Sequence, residues 1–162
     1  MFARVAQPQP AQGADVVARA VGALALAALA VIHVVDLPGT LGATPLVGFG
    51  YFGIIAAAVL TAGVMIARSH WLAWATAGAV AISAMGGYVL TRALPGGFLG
   101  DHGDVGNWRC PLGIAALSVE TLIILLAAGA VLAAWVSRAR AASVAEAPRP
   151  VARRVPEYSQ PR

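Results

Sequence analysis

Hydrophobic positions gather into four long runs, residues 20–37, 46–67, 71–91 and 111–136, divided by arginines and by stretches rich in proline, glycine and polar residues. The runs carry apolar residues on every helical face, the pattern of a helix surrounded by lipid or by other helices. About 20 apolar residues in a helix cross a hydrocarbon core, so each run is close to that length or beyond it. The expectation is an all-α fold, a bundle of four transmembrane helices. The link Arg68-Ser69-His70 is so short that the second and third helices must be antiparallel neighbours. The remaining segments read as outer loops at 38–45 and 92–110, a disordered N-terminal arm at 1–19 and a disordered basic tail at 137–162. Neither end segment has enough apolar residues to fold alone.

The arginines sort by side. Arg4, Arg19, Arg68 and the tail's Arg138, Arg140, Arg149, Arg153, Arg154 and Arg162 fall on one side, while Arg92 and Arg109 fall on the other, beside Asp101 and Asp104. The positive-inside rule then places both termini in the cytoplasm and the 92–110 loop outside. Trp71, Trp74 and Trp135 suit a belt at the cytoplasmic interface, and Trp108 suits the outer one. The first run has the look of a secretion signal, with Ala28-Leu29-Ala30 as a cleavage motif. Its apolar character continues through Val35, so it is read as a retained first helix.

Composition narrows the class. The 162 residues are 59% hydrophobic and 11% charged, against about 25% charged in a soluble domain. The net charge of +4 comes entirely from arginine, lysine being absent. That charge follows topology, so the expected partners are the lipid bilayer and a membrane protein or a second copy of the chain, and not nucleic acid. An all-arginine, Ala- and Gly-rich chain hints at a GC-rich bacterial genome, and the expected location is the cell membrane. A single cysteine, Cys110, excludes an intrachain disulfide.

Helix association in lipid relies on close approach at small residues. Ala75, Ala79, Ser83 and Gly87 form such a row on the third helix, Gly53, Ala57 and Thr61 on the second, and the two rows are expected to meet.

Ionisable groups in a membrane helix are costly, and they mark candidate sites. His33 and Asp36 stand three apart near the end of the first helix, hence on one face. Glu120 lies within the fourth, about 13 Å from Pro111 at 1.5 Å per residue, or about 6 Å deep if the helix's inner end is fixed at Trp135 and about 20 residues span the core. Counting from Ala20 brings His33 to a similar level. Tyr88 and Arg92 end the third helix, Tyr51 lies near the outer end of the second, and Trp108 lies in the outer loop. His33, Asp36, Tyr88, Arg92, Trp108 and Glu120 are thus expected to form a polar cluster in the outer leaflet, with Glu120 paired to Arg92 or His33. The alternative is a metal site on His33, Asp36 and Glu120, whose donors suit zinc, copper or iron. Catalysis by Glu120 or His33 ranks below it, with no nucleophile or substrate pocket in view. Transport ranks lower still, because polar groups stop near mid-membrane.

The run Gly87-Tyr88-Val89-Leu90-Thr91-Arg92, the Leu94-Pro95-Gly96 after it, Asn107-Trp108 leading into Pro111-Leu112-Gly113, then Leu117 and Glu120, together with the late His33, resemble a pattern in a family of small four-helix membrane proteins of high-GC Gram-positive (actinobacterial) bacteria. The resemblance covers the membrane part and implies the architecture and a cluster at the outer end. It implies no activity. The family pattern has an acidic residue directly before the proline, where this chain has Cys110. The function expected from all this is that of a non-enzymatic accessory or interaction protein of the membrane, with a metal or redox-cofactor protein as the alternative.

Overall fold

The computed structural model describes residues 11–68 and 70–146. These form four helices, α1 (Ala11–Ala43), α2 (Pro45–Ala67), α3 (Trp71–Ala93) and α4 (Pro111–Glu146), with no strand among the described residues. All four are long and apolar enough to cross a membrane. Each packs against its neighbour in the chain, and α1 closes the ring against α4. The described starts and ends of the chain therefore share one end of the bundle with the Arg68–His70 link. The 94–110 loop and Thr44 lie at the other, called here the loop end.

The interior is a plug of apolar side chains, with Leu26 and Leu29 of α1, Ala58 and Met65 of α2, Trp74, Ala77 and Ala81 of α3, and Ile123 and Ala127 of α4. Lipid tails are as apolar as these side chains, so cohesion comes from close packing. Gly22 shows how close. A methyl group there would stand 2.8 Å from both the Met65 sulfur and the Trp74 ring. On α3, a methyl at Gly78 would come 3.1 Å from the Ala127 Cβ. Outward, Leu24, Leu60, Ile66, Leu125 and Leu132 are each about two-thirds exposed. So much exposed aliphatic surface is foreign to a soluble monomer and fits a lipid-facing wall.

Several boundaries differ from the sequence reading. The loop expected at 38–45 is almost wholly helical, with Thr44 alone between α1 and α2. Pro38 sits inside α1. It forfeits one helical hydrogen bond, yet the helix continues, and the Thr44 N–H donates to the Thr40 carbonyl at 2.8 Å. The buried Thr44 then leads directly into Pro45, which needs no donor at a first helical position. The N-terminal arm is helical from Ala11, where Asp15 and Arg19 pair at 3.1 Å one turn apart. The tail is helical through Glu146, since Ala and Arg are strong helix formers. Residues 1–10, Ser69 and 147–162, with Arg4 and the last four arginines, lie outside the described residues.

The small-residue rows do not meet as expected. Ala79, Ser83 and Gly53 are exposed, and α3 buries Ala73, Ala77, Ala81 and Ala84 instead. An Ala-rich helix offers several such rows, and the bulky partners Trp74 and Met65 select the buried one. Trp74 accordingly belongs to the core, while Trp135 stays 66% exposed. Trp71 carries the Arg138 guanidinium 4.7 Å above its ring.

Candidate functional site

Above the apolar plug, the loop end opens into a cavity of about 560 Å³ bounded by all four helices and the 94–110 loop. His33, Asp36, Tyr88, Arg92 and Glu120 all line it; Trp108 does not. The shared level of His33 and Glu120 follows from helix rise, and the closure of α1 on α4 makes it a shared wall. Within this zone the polar side chains form three separate groups.

The first group joins α1 to α2. His33 is buried, and its Nδ1 lies 2.9 Å from the Leu29 carbonyl oxygen. A carbonyl only accepts, so Nδ1 carries the hydrogen, and Nε2 of the neutral ring is an acceptor. The edge of the Tyr51 ring meets the imidazole, with centroids 4.7 Å apart at 70°. Tyr51 donates its hydroxyl to Asp36 Oδ2 at 2.9 Å, and Thr40 donates to the same oxygen at 3.3 Å. Tyr51 appeared in the sequence only as a nearby aromatic. Its role in holding Asp36 needed the near-continuous α1–α2 corner to become visible.

The second group is built on Arg92, which is buried although charged. Its Nε donates to the Asn107 carbonyl at 2.8 Å, Nη1 to the Thr91 hydroxyl at 2.9 Å, and Nη2 pairs with Asp104 at 3.2 Å. The guanidinium carbon stands 3.6 Å from the centroid of the Tyr88 ring. Tyr88 donates to the Trp108 carbonyl at 3.2 Å, and the two rings meet edge-on. Trp108 itself is 47% exposed and acts mainly through this contact and its backbone. Arg92 thus ties the end of α3 to the second half of the loop, at Asp104 and Asn107, and the Gly106 N–H also reaches the Arg92 carbonyl. The turn before it depends on Gly97, at φ +73°, where a Cβ would run into the Asp101 carbonyl. Leu99, at the cavity's edge, holds φ +53°, a conformation that costs a side chain about 1 kcal/mol. Asp101 is buried and accepts from the Asp104 N–H. Burial, and next the Asp104 carboxylate, push Asp101 above the usual carboxylate range.

The third group is Glu120 alone. It is 1% exposed, and its Oε2 is buried with no hydrogen-bond partner among the described residues. The expected pairing with Arg92 or His33 is not formed. The loop has taken the Arg92 donors, and the Leu29 carbonyl has taken the His33 N–H. A polar atom desolvated without a partner costs roughly 1–3 kcal/mol, and more if charged. Glu120 is therefore ill-suited to fixing the register of the bundle.

Among the described residues no three His, Cys, Asp or Glu side chains come together where they could hold a metal ion. His33, Asp36 and Glu120 line one cavity but do not form such a group. Cys110, half-buried, is also on the cavity wall.

The fold and the site together define a class, an all-α bundle of four membrane-crossing helices with a polar cavity at its loop end. No family model, curated protein or solved structure matches the chain.

Proposed function

We propose that this is an integral protein of the cell membrane, with cytoplasmic termini, whose outward-facing cavity binds a small ligand. The observation that carries the reading is Glu120, a fully buried side chain on the cavity wall with an oxygen that nothing in the described chain satisfies. A group that weakens the ligand-free fold and opens onto a space of organic-molecule size is best accounted for by what enters that space. Pockets for such ligands run from about 300 to 1,000 Å³, mostly apolar with a few placed polar groups. The orientation rests on the arginine asymmetry, and the bilayer covers the aliphatic outer wall. The accessory role suggested by the sequence is retained in this form: the protein holds a ligand at the membrane surface, for a membrane partner or a second copy to read.

Thermal unfolding in detergent tests the reading against a set of small neutral, anionic and cationic molecules. A ligand at 100 times its Kd stabilises by about 2.7 kcal/mol, which is readily measured. Gly87 lines the cavity, and a Cβ there would meet nothing within 4 Å. Gly87→Leu should therefore fill the space, keep the fold and abolish the stabilisation. If stabilisation persists unchanged in Gly87→Leu, the ligand binds elsewhere and the proposal fails.

A further inference from the structure

We infer that the cavity recognises a small organic ammonium ion, a primary amine carried on an apolar body. This rests on the binding role proposed above and adds the chemical class. Four of the chain's seven acidic residues, Asp36, Asp101, Asp104 and Glu120, line this one cavity. Among the described basic residues only Arg92 does so. A chain with net positive charge has thus gathered most of its negative charge at one opening.

Arg92 offers little to an incoming anion, with four of its five N–H donors already bonded within the protein. Its Nε, Nη1 and Nη2 are already engaged by Asn107, Thr91 and Asp104, and its flat face lies on Tyr88. What the wall does offer is acceptors. Glu120 Oε2 is unsatisfied. Both described hydrogen bonds to Asp36 arrive on Oδ2, and none reaches Oδ1. The His33 N–H is spent on Leu29, which leaves Nε2 as an acceptor. An ammonium group brings three donors and a positive charge, the complement of this set. The rings of Tyr51 and Phe98 on the same wall suit a cation with an apolar body. A bare metal ion fits less well, since no three ligands converge, and the cavity is far larger than an ion.

Cys110, the chain's one cysteine, stands on the cavity wall and reports occupancy without any engineering. The experiment follows its modification by a neutral methanethiosulfonate reagent at pH 7, in the purified full-length protein. The probes are benzylammonium and cyclohexylammonium, their neutral counterparts benzyl alcohol and cyclohexanol, and benzoate. An amine that occupies the cavity slows modification by the factor 1 + [L]/Kd, about tenfold at ten times its Kd. The expected result is protection by the ammonium ions, little or none by the alcohols and benzoate, and loss of the ammonium protection in Glu120→Gln. Equal protection by alcohol and amine, or amine protection that survives in Glu120→Gln, overturns the ammonium assignment and leaves the cavity as a binding site for another class. Absence of protection by every probe, whatever its charge, counts against the binding role itself and the assignment with it.

Discussion

Arg92 and Glu120 are the two informative residues, and they behave in opposite ways. Arg92 is buried with its donors engaged, so losing it should open the loop. Hydrogen bonds to a charged group contribute about 1.5–3 kcal/mol each. Arg92→Ala is expected to lower the melting temperature in detergent and to expose residues 94–110 to protease. Arg92→Lys should recover only part of this, because an ammonium cannot replace a fork that reaches several acceptors at once. Glu120→Gln should do the reverse. No described partner is lost, so the ligand-free protein should melt at the same temperature or higher, within about 1 kcal/mol; a large drop would mean that Glu120 holds the fold together. Asp101 adds a pH dependence. Its folded pKa is raised, so its contribution is fully present below the ordinary carboxylate value of about 3.9 and is lost as pH rises through the raised value. The protection of the loop amides, after correction for the intrinsic rise of exchange with pH, should therefore fall across that interval, and Asp101→Asn, which keeps the acceptor for the Asp104 N–H, should remove the fall. The positions of these residues along the chain were enough to place them at one end of the bundle. Their partners were not legible, because the route of the 94–110 backbone depends on the positive φ angles at Gly97, Leu99, Gly100 and Gly106, and it is that route which brings Asp104 and Asn107 to Arg92.

At the scale of elements, hydropathy located all four helices but not their ends. Lipid demands apolar residues only within its own thickness, and α1 and α4 continue beyond that demand on propensity and local pairing, as at Asp15–Arg19. Helix continuation through Pro38 was illegible for a related reason. A proline lowers the odds of a helix, but one lost hydrogen bond near an end does not decide the matter. Which small residues face a neighbour also escaped the sequence, since spacing alone gives several equivalent rows. The structure supplies a sharp contrast for testing this packing. Gly22→Ala drives a methyl against Trp74 and Met65 and is expected to cost about 1–3 kcal/mol, as overpacking does. A Cβ at Gly63, on α2, would meet nothing within 4 Å, and Gly63→Ala should be neutral or gain up to about 1 kcal/mol from helix propensity. Parallel thermal melts of the two variants decide it, and equal losses at both positions would contradict the α1–α2–α3 packing described.

At the scale of the whole molecule, the bundle divides into an apolar plug toward the chain ends and a polar cavity toward the loop. This division was visible in the sequence as a bias of the ionisable residues within the helices, His33, Asp36 and Glu120, toward one end, although the cavity itself was not, because a cavity is a property of four helices together. The account's central claim is that this cavity opens on the outer face of the cell membrane, and Cys110 tests it most directly. Intact cells expressing the protein are treated with a membrane-impermeant thiol reagent, before and after permeabilisation. The account predicts that Cys110 is modified in intact cells, with little further gain on permeabilisation. Modification only after the membrane is breached would put the cavity on the cytoplasmic side and contradict the orientation; no modification even in detergent would contradict the open cavity.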